Sequence, residues 1–230
     1  MLLLLIMITW GFNLSALAIL VREIDPMTLT SLRIFIAGIV VLVITRLMGL
    51  FRLPTKKEWM TILIISLFNV ALHHSLLALG LTKTSGANAS VIIGSLPIVT
   101  VVLTSLMLKQ RMPRVRIFGF IFGFIGIILT SIAGSDGFGE FSSGDIIIFL
   151  SIFSHALSYI LISKLNPSLD SRLLTGYMLI IGSFFVFALG LIIERDLVQL
   201  TKLFSWKLSL VFLFSAIGAT ALGHMVYNYA

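Results

Sequence analysis

The feature that most limits this chain is a series of eight apolar stretches, at residues 2–21, 27–45, 59–81, 87–108, 117–133, 146–163, 173–193 and 208–230. Each is close to the roughly 20 residues a helix needs to cross the hydrocarbon core of a bilayer. None alternates apolar and polar residues with the two-residue period of a membrane-barrel strand, which leaves the helix as the spanning element. Composition makes the same demand. Of the 230 residues 59% are hydrophobic and 11% charged, with a mean hydropathy of +1.15, against about 45–50% and about 25% in a soluble domain. A water-soluble fold has too little interior to hide this much apolar surface and too few charges to cover it. The sequence therefore predicts an all-α polytopic membrane protein with about eight helices.

The short segments between the runs set an orientation. Arg46, Arg52, Lys56 and Lys57, then Lys109, Arg111, Arg114 and Arg116, then Lys164 and Arg172 put ten basic residues on one side. The other side has five, together with seven of the nine acids. Basic loops stay cytoplasmic, so a multi-pass protein of the cell membrane with a cytoplasmic N-terminus is expected. The net charge of +7 is accounted for by these loops and does not call for a nucleic-acid partner. Ala16-Leu17-Ala18 resembles a signal-peptidase site, but no basic residue precedes Leu2, so the first run reads as a spanning helix. The last run is still apolar at Ala230, without the polar flank that anchors a helix end at the interface. That predicts a longer reading frame.

A faint internal symmetry runs through the chain. Trp59 and Trp206 lie 147 positions apart, and the same offset pairs Leu63 with Leu210 and Leu67 with Phe214. Asp25-Pro26 and Asn166-Pro167 each follow the first helix of a half. Five runs precede the acidic, Gly-rich stretch at residues 134–144 and three follow it. The expected organisation is a five-helix repeat at residues 1–133, a connecting loop at 134–143, and a second repeat at 144–230 lacking its last two helices. A unit with an odd number of spans must be inverted when repeated, an arrangement common among alternating-access transporters.

Polar groups inside the runs are the candidates for function, because each costs free energy in lipid. Arg33 lies about two turns into the second run, and would either meet an anionic group or reach outward toward Glu23 and Asp25. Trp10-Gly11-Phe12-Asn13 suits a cavity wall or a loosened, closely packed helix. His73 and His74 lie in run three, His155 in run six and His224 in run eight. Adjacent residues point about 100° apart on a helix, so His73 and His74 are not expected to face one pocket equally. Tyr159 shares a helix face with His155, and Tyr227 and Asn228 share one with His224. Pro97 is expected to kink run four and free a carbonyl. Gly119, Gly123 and Gly126 form a small-residue stripe suited to helix packing or dimerisation.

Catalytic and cofactor signatures are missing. The chain has no Cys, no His-Glu-x-x-His, no Gly-x-Ser-x-Gly, no phosphate loop and no pair of carboxylates inside a run. No enzyme activity, metal or cofactor is expected.

Taken in order, Trp10-Gly11-Phe12-Asn13, Pro26 with Arg33, Ala78-Leu79, residues 84–89 (Thr-Ser-Gly-Ala-Asn-Ala), Pro97-Ile98 and Leu106-Met107-Leu108 resemble the first EamA-type repeat of the drug/metabolite transporter superfamily. Residues 117–129 look like that repeat's closing helix, and a weaker likeness begins at Gly144-Asp145. The resemblance implies ten helices in two inverted repeats, a central cavity, and transport of amino acids, metabolites or drugs. The family often has a Glu closing the fourth helix; here Lys109-Gln110 stands there, with Gln110 the matching position. On this reading the chain is a secondary transporter of a small-molecule solute across the lipid bilayer, with dimerisation through the Gly119 stripe a further option. The cavity-facing residues would be Trp10, Asn13, His74, Asn88, His155 and Tyr159, with Arg33, Pro97 and Gln110 in structural and gating roles. The alternative is a non-transporting membrane fragment or interaction subunit.

Overall fold

The computed structural model describes residues 2–108, 115, 117–119, 121–122, 125, 142–165, 168–194 and 198–229. Among these, seven helices are long and apolar enough to cross a membrane. They are α1 (Leu2–Glu23), α2 (Pro26–Leu47) and α3 (Lys56–Leu81); α4, in two segments (Gly86–Gly94 and Leu96–Leu108); α5 (Ser143–Leu165), α6 (Ser171–Ile193) and α7 (Trp206–Tyr229). A short 3₁₀ turn, Val198–Phe204, leads into α7. Most of the expected fifth run and of the loop at residues 134–143 lies outside the described residues, as do Gln110, Gly123, Gly126 and Pro167.

Several helices begin a few residues before their apolar runs, because polar caps take up the first backbone N–H groups. Thr55 opens α3 with a capping box: its hydroxyl accepts from the Glu58 N–H, and the Glu58 carboxylate accepts from the Thr55 N–H at 2.7 Å. Ser85 accepts from the Asn88 N–H at 3.1 Å to start α4. Asp170 does the same for α6, accepting from the Arg172 N–H at 2.9 Å. The hydrogen bond from the Arg172 side chain is the main reason the Asp170 carboxyl lies below the usual carboxylate range. The cap is therefore charged at neutral pH and weakens only as pH falls through that lowered value. In α4 the break falls at Ser95, two residues before Pro97. The Ser95 N–H and hydroxyl both turn back to the Ile92 carbonyl, at 3.0 and 2.6 Å, and the Pro97 ring has no N–H to offer the next carbonyl.

Two helices carry a widened stretch. In α3 it covers Ser66–Leu72 and in α7 Phe214–Leu222, where the backbone opens into π-helical turns. The two stretches start 148 positions apart, close to the 147-residue offset seen in the sequence. Such turns release carbonyls from the regular helical ladder, and side chains of neighbouring helices take them. The Trp10 indole N–H donates to the Ala219 carbonyl at 2.9 Å, and the Ser154 hydroxyl donates to the Phe68 carbonyl at 2.7 Å.

At the centre α2 packs closely along α6, with α1 against α7 and α3 against α5 on either side. In lipid, helices gain little by hiding apolar surface and associate through close packing of small residues. Gly38 of α2 is an instance: a Cβ there would lie 2.8 Å from Ile180 Cδ1 and 2.9 Å from the Ile180 backbone N. On α1–α7, a Cβ at Gly223 would lie 2.5 Å from the Trp10 indole nitrogen. The faces turned outward carry large apolar side chains, among them Phe12, Met60, Phe184 and Ile192, as lipid contact requires.

Polar links tie the bundle at both ends. At the end where α6 begins, Arg52 donates to both carboxylate oxygens of Glu58, at 2.9 and 2.6 Å; Ser168 donates to the same carboxylate and the Tyr177 hydroxyl to the Arg52 carbonyl at 2.8 Å. At the opposite end, Glu194 closes α6 and caps α2, accepting from the N–H groups of Met27 and Thr28 and from the Thr28 hydroxyl at 2.5, 2.8 and 2.7 Å. Thr84 donates to Asp145 at 2.5 Å on the same side, joining the α3–α4 connection to α5.

Candidate functional site

Inside the bundle, four helices contribute seven rings that close on one another, with Tyr159 and Tyr227 toward the end where α6 begins. Trp10 of α1 packs on His224 of α7, with centroids 5.2 Å apart. His224 meets His74 of α3 at 5.5 Å, and His74 its neighbour His73 at 4.7 Å. His73 stacks on His155 of α5 at 4.0 Å, and His155 leans on Tyr159 at 4.7 Å. Tyr159 reaches Tyr227 of α7 at 5.6 Å, and Tyr227 returns to Trp10 at 5.1 Å. All four histidines are buried, while Trp10, Tyr159 and Tyr227 are half-buried.

The sequence builds this ring through helix periodicity. On α5, Ser151, His155, Ser158 and Tyr159 fall on one face at the i, i+4, i+7, i+8 spacing. On α3 the widened stretch ends immediately before His73-His74. His73 then points to α5, where Ser151 Oγ lies 2.8 Å from its Nδ1, and His74 points to α7. The 100° between adjacent residues places the two imidazoles against different helices of one ring. On α7 the second widened stretch ends just before Gly223-His224. His74 and His224 thus occupy matching places, 150 positions apart.

Arg33 enters from α2 and is 1% exposed. It does not reach outward to Glu23 or Asp25. Its Nη1 donates to Thr220 Oγ1 at 2.5 Å, and Nη2 lies 3.5 Å from His74 Nδ1. A guanidinium only donates, so His74 Nδ1 accepts. A neutral His74 then carries its proton on Nε2, which lies 3.4 Å from His224 Nε2. The order of donation runs Arg33, His74, His224. The Thr220 hydroxyl in turn donates to the Ser215 carbonyl at 2.8 Å, another carbonyl released in the widened turn, and Ser215 Oγ donates to Asn13 Oδ1 at 2.6 Å. A similar pairing joins α3 to α5, where the Asn69 amide donates to Ser158 Oγ at 2.8 Å. Some donors and acceptors stay unused: Arg33 Nε, His155 Nε2 and Asn69 Oδ1 are buried without a hydrogen-bond partner among the described residues.

Of the residues singled out from sequence, Trp10, His74, His155 and Tyr159 stand in the ring, and Asn13 is attached to it through Ser215. Arg33, assigned to structure and gating, lies at its edge. Asn88 stands apart, half-buried in the first turn of α4, where its backbone N–H takes the Ser85 cap. Pro97 sits on an exposed side of α4. Ser151, Ser158, Asn69, Ser215 and Thr220 were not singled out from sequence. The first two were detectable as partners of His155 on one helical face; the others depend on which helices meet. The ring gathers hydrogen-bonding groups and flat aromatic faces in one place. Among the described residues no three His, Asp or Glu side chains converge as a metal-binding set.

Comparison with known proteins agrees with this architecture. A solved crystal structure superposes with a TM-score of 0.67 over 98% of this chain and 77% of its own, at 18% identity, and shares the fold. An uncharacterized transporter of Bacillus subtilis (strain 168), YvbV, is 29% identical over 225 residues, 96% of this chain and 71% of that one. The WAT1-related protein At3g02690, chloroplastic, of Arabidopsis thaliana is 26% identical over 96% of this chain and 54% of its own. Uncharacterized transporter sll0355 of Synechocystis sp. is 27% identical over 86% and 64%. The chain spans between 54% and 71% of the length of these relatives. The model of the EamA-like transporter family matches residues 1–132 and again 142–230, so this chain belongs to the EamA-like transporter family.

Proposed function

We propose that the chain forms the solute-handling part of a secondary transporter of the cell membrane, moving small metabolites, amino acids or drugs by alternating access, with its N-terminus in the cytoplasm. The observation that carries this reading is the closed ring of Trp10, His73, His74, His155, Tyr159, His224 and Tyr227 inside the membrane-spanning bundle. Buried polar side chains are expensive there and are kept where they line a path or a binding place. Sites built from several helices at mid-depth, beside locally opened helical turns, are the arrangement transporters use.

The polar links at the two ends support a gated route. Arg52, Glu58, Ser168 and Tyr177 close one end, while Glu194 and the α2 N-terminus close the other. Opening one set while the other holds would expose the ring to one side at a time. The packing of α1 on α7, α3 on α5 and α2 on α6 supports two inverted repeats, at residues 1–133 and 144–230, that rock against each other. The rival is a membrane fragment or interaction subunit that conducts nothing.

Flux decides between them. The chain is purified, inserted into sealed vesicles and loaded with a labelled panel of carboxylates, amino acids, amines and sugars. Exchange of at least one class above protein-free vesicles is the expected result. No exchange of any class under any ion gradient would favour the rival.

A further inference from the structure

Arg33 is a permanent cation buried inside the bundle, and among the described residues it has no negative partner. Its two contacts are a hydroxyl and an imidazole, and the three ion pairs among the described residues, Arg52–Glu58, Arg172–Asp170 and Lys202–Glu23, all lie at helix ends. A guanidinium stays charged at any physiological pH, so an anion that reaches it relieves an uncompensated charge in a medium that screens poorly. The free donor is also in the right place. Nε has no partner among the described residues, and the Nε–Nη2 edge is the one that grips a carboxylate with two parallel N–H···O bonds. Beside it stand the imidazoles of His74 and His224, followed by the faces of Trp10, Tyr159 and Tyr227. These can cover the carbon body of a solute. Among the described residues no carboxylate stands at the ring to pair with an ammonium: every Asp and Glu there is at a helix end or in a connection, as Glu23, Glu58, Asp145, Asp170 and Glu194 illustrate.

Accepting the transport reading above, we propose that Arg33 is the anchor for a carboxylate, and that the solute is a small organic acid with an apolar or aromatic body rather than an amine or a neutral compound. The carboxylate pairs with the Nε–Nη2 edge, and Thr220 on the opposite nitrogen holds the guanidinium in plane.

The test is binding to the purified chain in detergent, which needs neither vesicles nor a gradient. Benzoate, benzylamine and benzyl alcohol share one ring and differ in charge. Benzoate is expected to raise the melting temperature in a dose-dependent way, while benzylamine and benzyl alcohol leave it unchanged. Arg33→Gln should weaken benzoate by tenfold or more, the loss expected when charge-assisted bonds are removed, and Arg33→Lys should fall between. Should Arg33→Gln fail to fold, the three probes on the unaltered chain still decide. Benzylamine or benzyl alcohol binding as tightly as benzoate, no binding of benzoate, or a folded Arg33→Gln chain that keeps its benzoate affinity would each overturn the assignment. A chain that binds benzoate but moves nothing in vesicles would sink the transport reading and leave the site standing. One that moves benzylamine and ignores benzoate would do the reverse.

Discussion

Leucine at position 38 is expected to leave little folded protein. Gly38 is where α2 comes closest to α6, and a Cβ there would stand 2.8 Å from Ile180 Cδ1 and 2.9 Å from the Ile180 backbone nitrogen. The side-chain atom can swing away but the backbone atom cannot, so the helices must separate. Gly176 guards the same interface, where a Cβ would lie 2.6 Å from Leu42 Cδ2. Because helix association in lipid depends on such close approach, separation forfeits contacts along the whole pair. Gly38→Ala should cost about 1–3 kcal/mol, the range for overpacking a tight site, and Gly38→Leu more than that. Gly11 provides the contrast: nothing lies within 4 Å of its would-be Cβ, so Gly11→Ala should be neutral or gain up to about 1 kcal/mol of helix propensity. Thermal unfolding in detergent reads all three. Equal melting temperatures for Gly38→Leu and the unaltered chain would refute the α2–α6 packing described above.

The second large effect is on function and concerns His74 and His224. Each imidazole serves the other: His74 accepts from Arg33 and offers Nε2–H to His224, 3.4 Å away. Removing either breaks the order of donation and leaves a buried polar group unpaired, at about 1–3 kcal/mol. In the vesicle assay, His74→Ala and His224→Ala should each slow exchange by tenfold or more. The double variant should be little slower than either single one, because groups acting as one unit do not lose independently. The melting temperature of each variant separates a loss of exchange from a loss of fold. Losses that multiply, or single variants that exchange normally, would mean that the two rings do not work as a pair.

How the sequence encodes these features differs from element to element. The helices were legible because a bilayer demands about 20 apolar residues, and α3 and α6 differ from their runs only by the turns that the Thr55 and Asp170 caps add. The 147-residue offset of Trp59 from Trp206 is close to the 148 residues between the starts of the widened stretches, but the widening itself has no signature in one sequence. Without it the released Ala219 and Phe68 carbonyls, and hence their Trp10 and Ser154 partners, were out of reach. Trp10, His74, His155 and Tyr159 stood out because polar and aromatic groups at mid-span are costly. Asn88 is polar too but lies elsewhere, in the first turn of α4, since a polar residue in an apolar run does not reveal which helix faces meet. Arg33 was noticed for its charge, yet its buried position against Thr220 required knowing that α2 lies beside α7.

A polar ring that faces a route for water and solute is open to water-borne reagents, and the chain's lack of cysteine makes this directly measurable. Ser151→Cys on α5 and Thr220→Cys on α7 introduce single thiols at the ring, while Phe153→Cys places one on an outward, lipid-facing side of α5. In sealed vesicles treated with a small, charged thiol reagent, both ring cysteines should be labelled, more slowly than a loop control because the closed ends must first open, and the lipid-facing cysteine should stay unlabelled. Ring cysteines that remain as inert as the lipid-facing one would contradict the account, since a dry, sealed cluster conducts nothing.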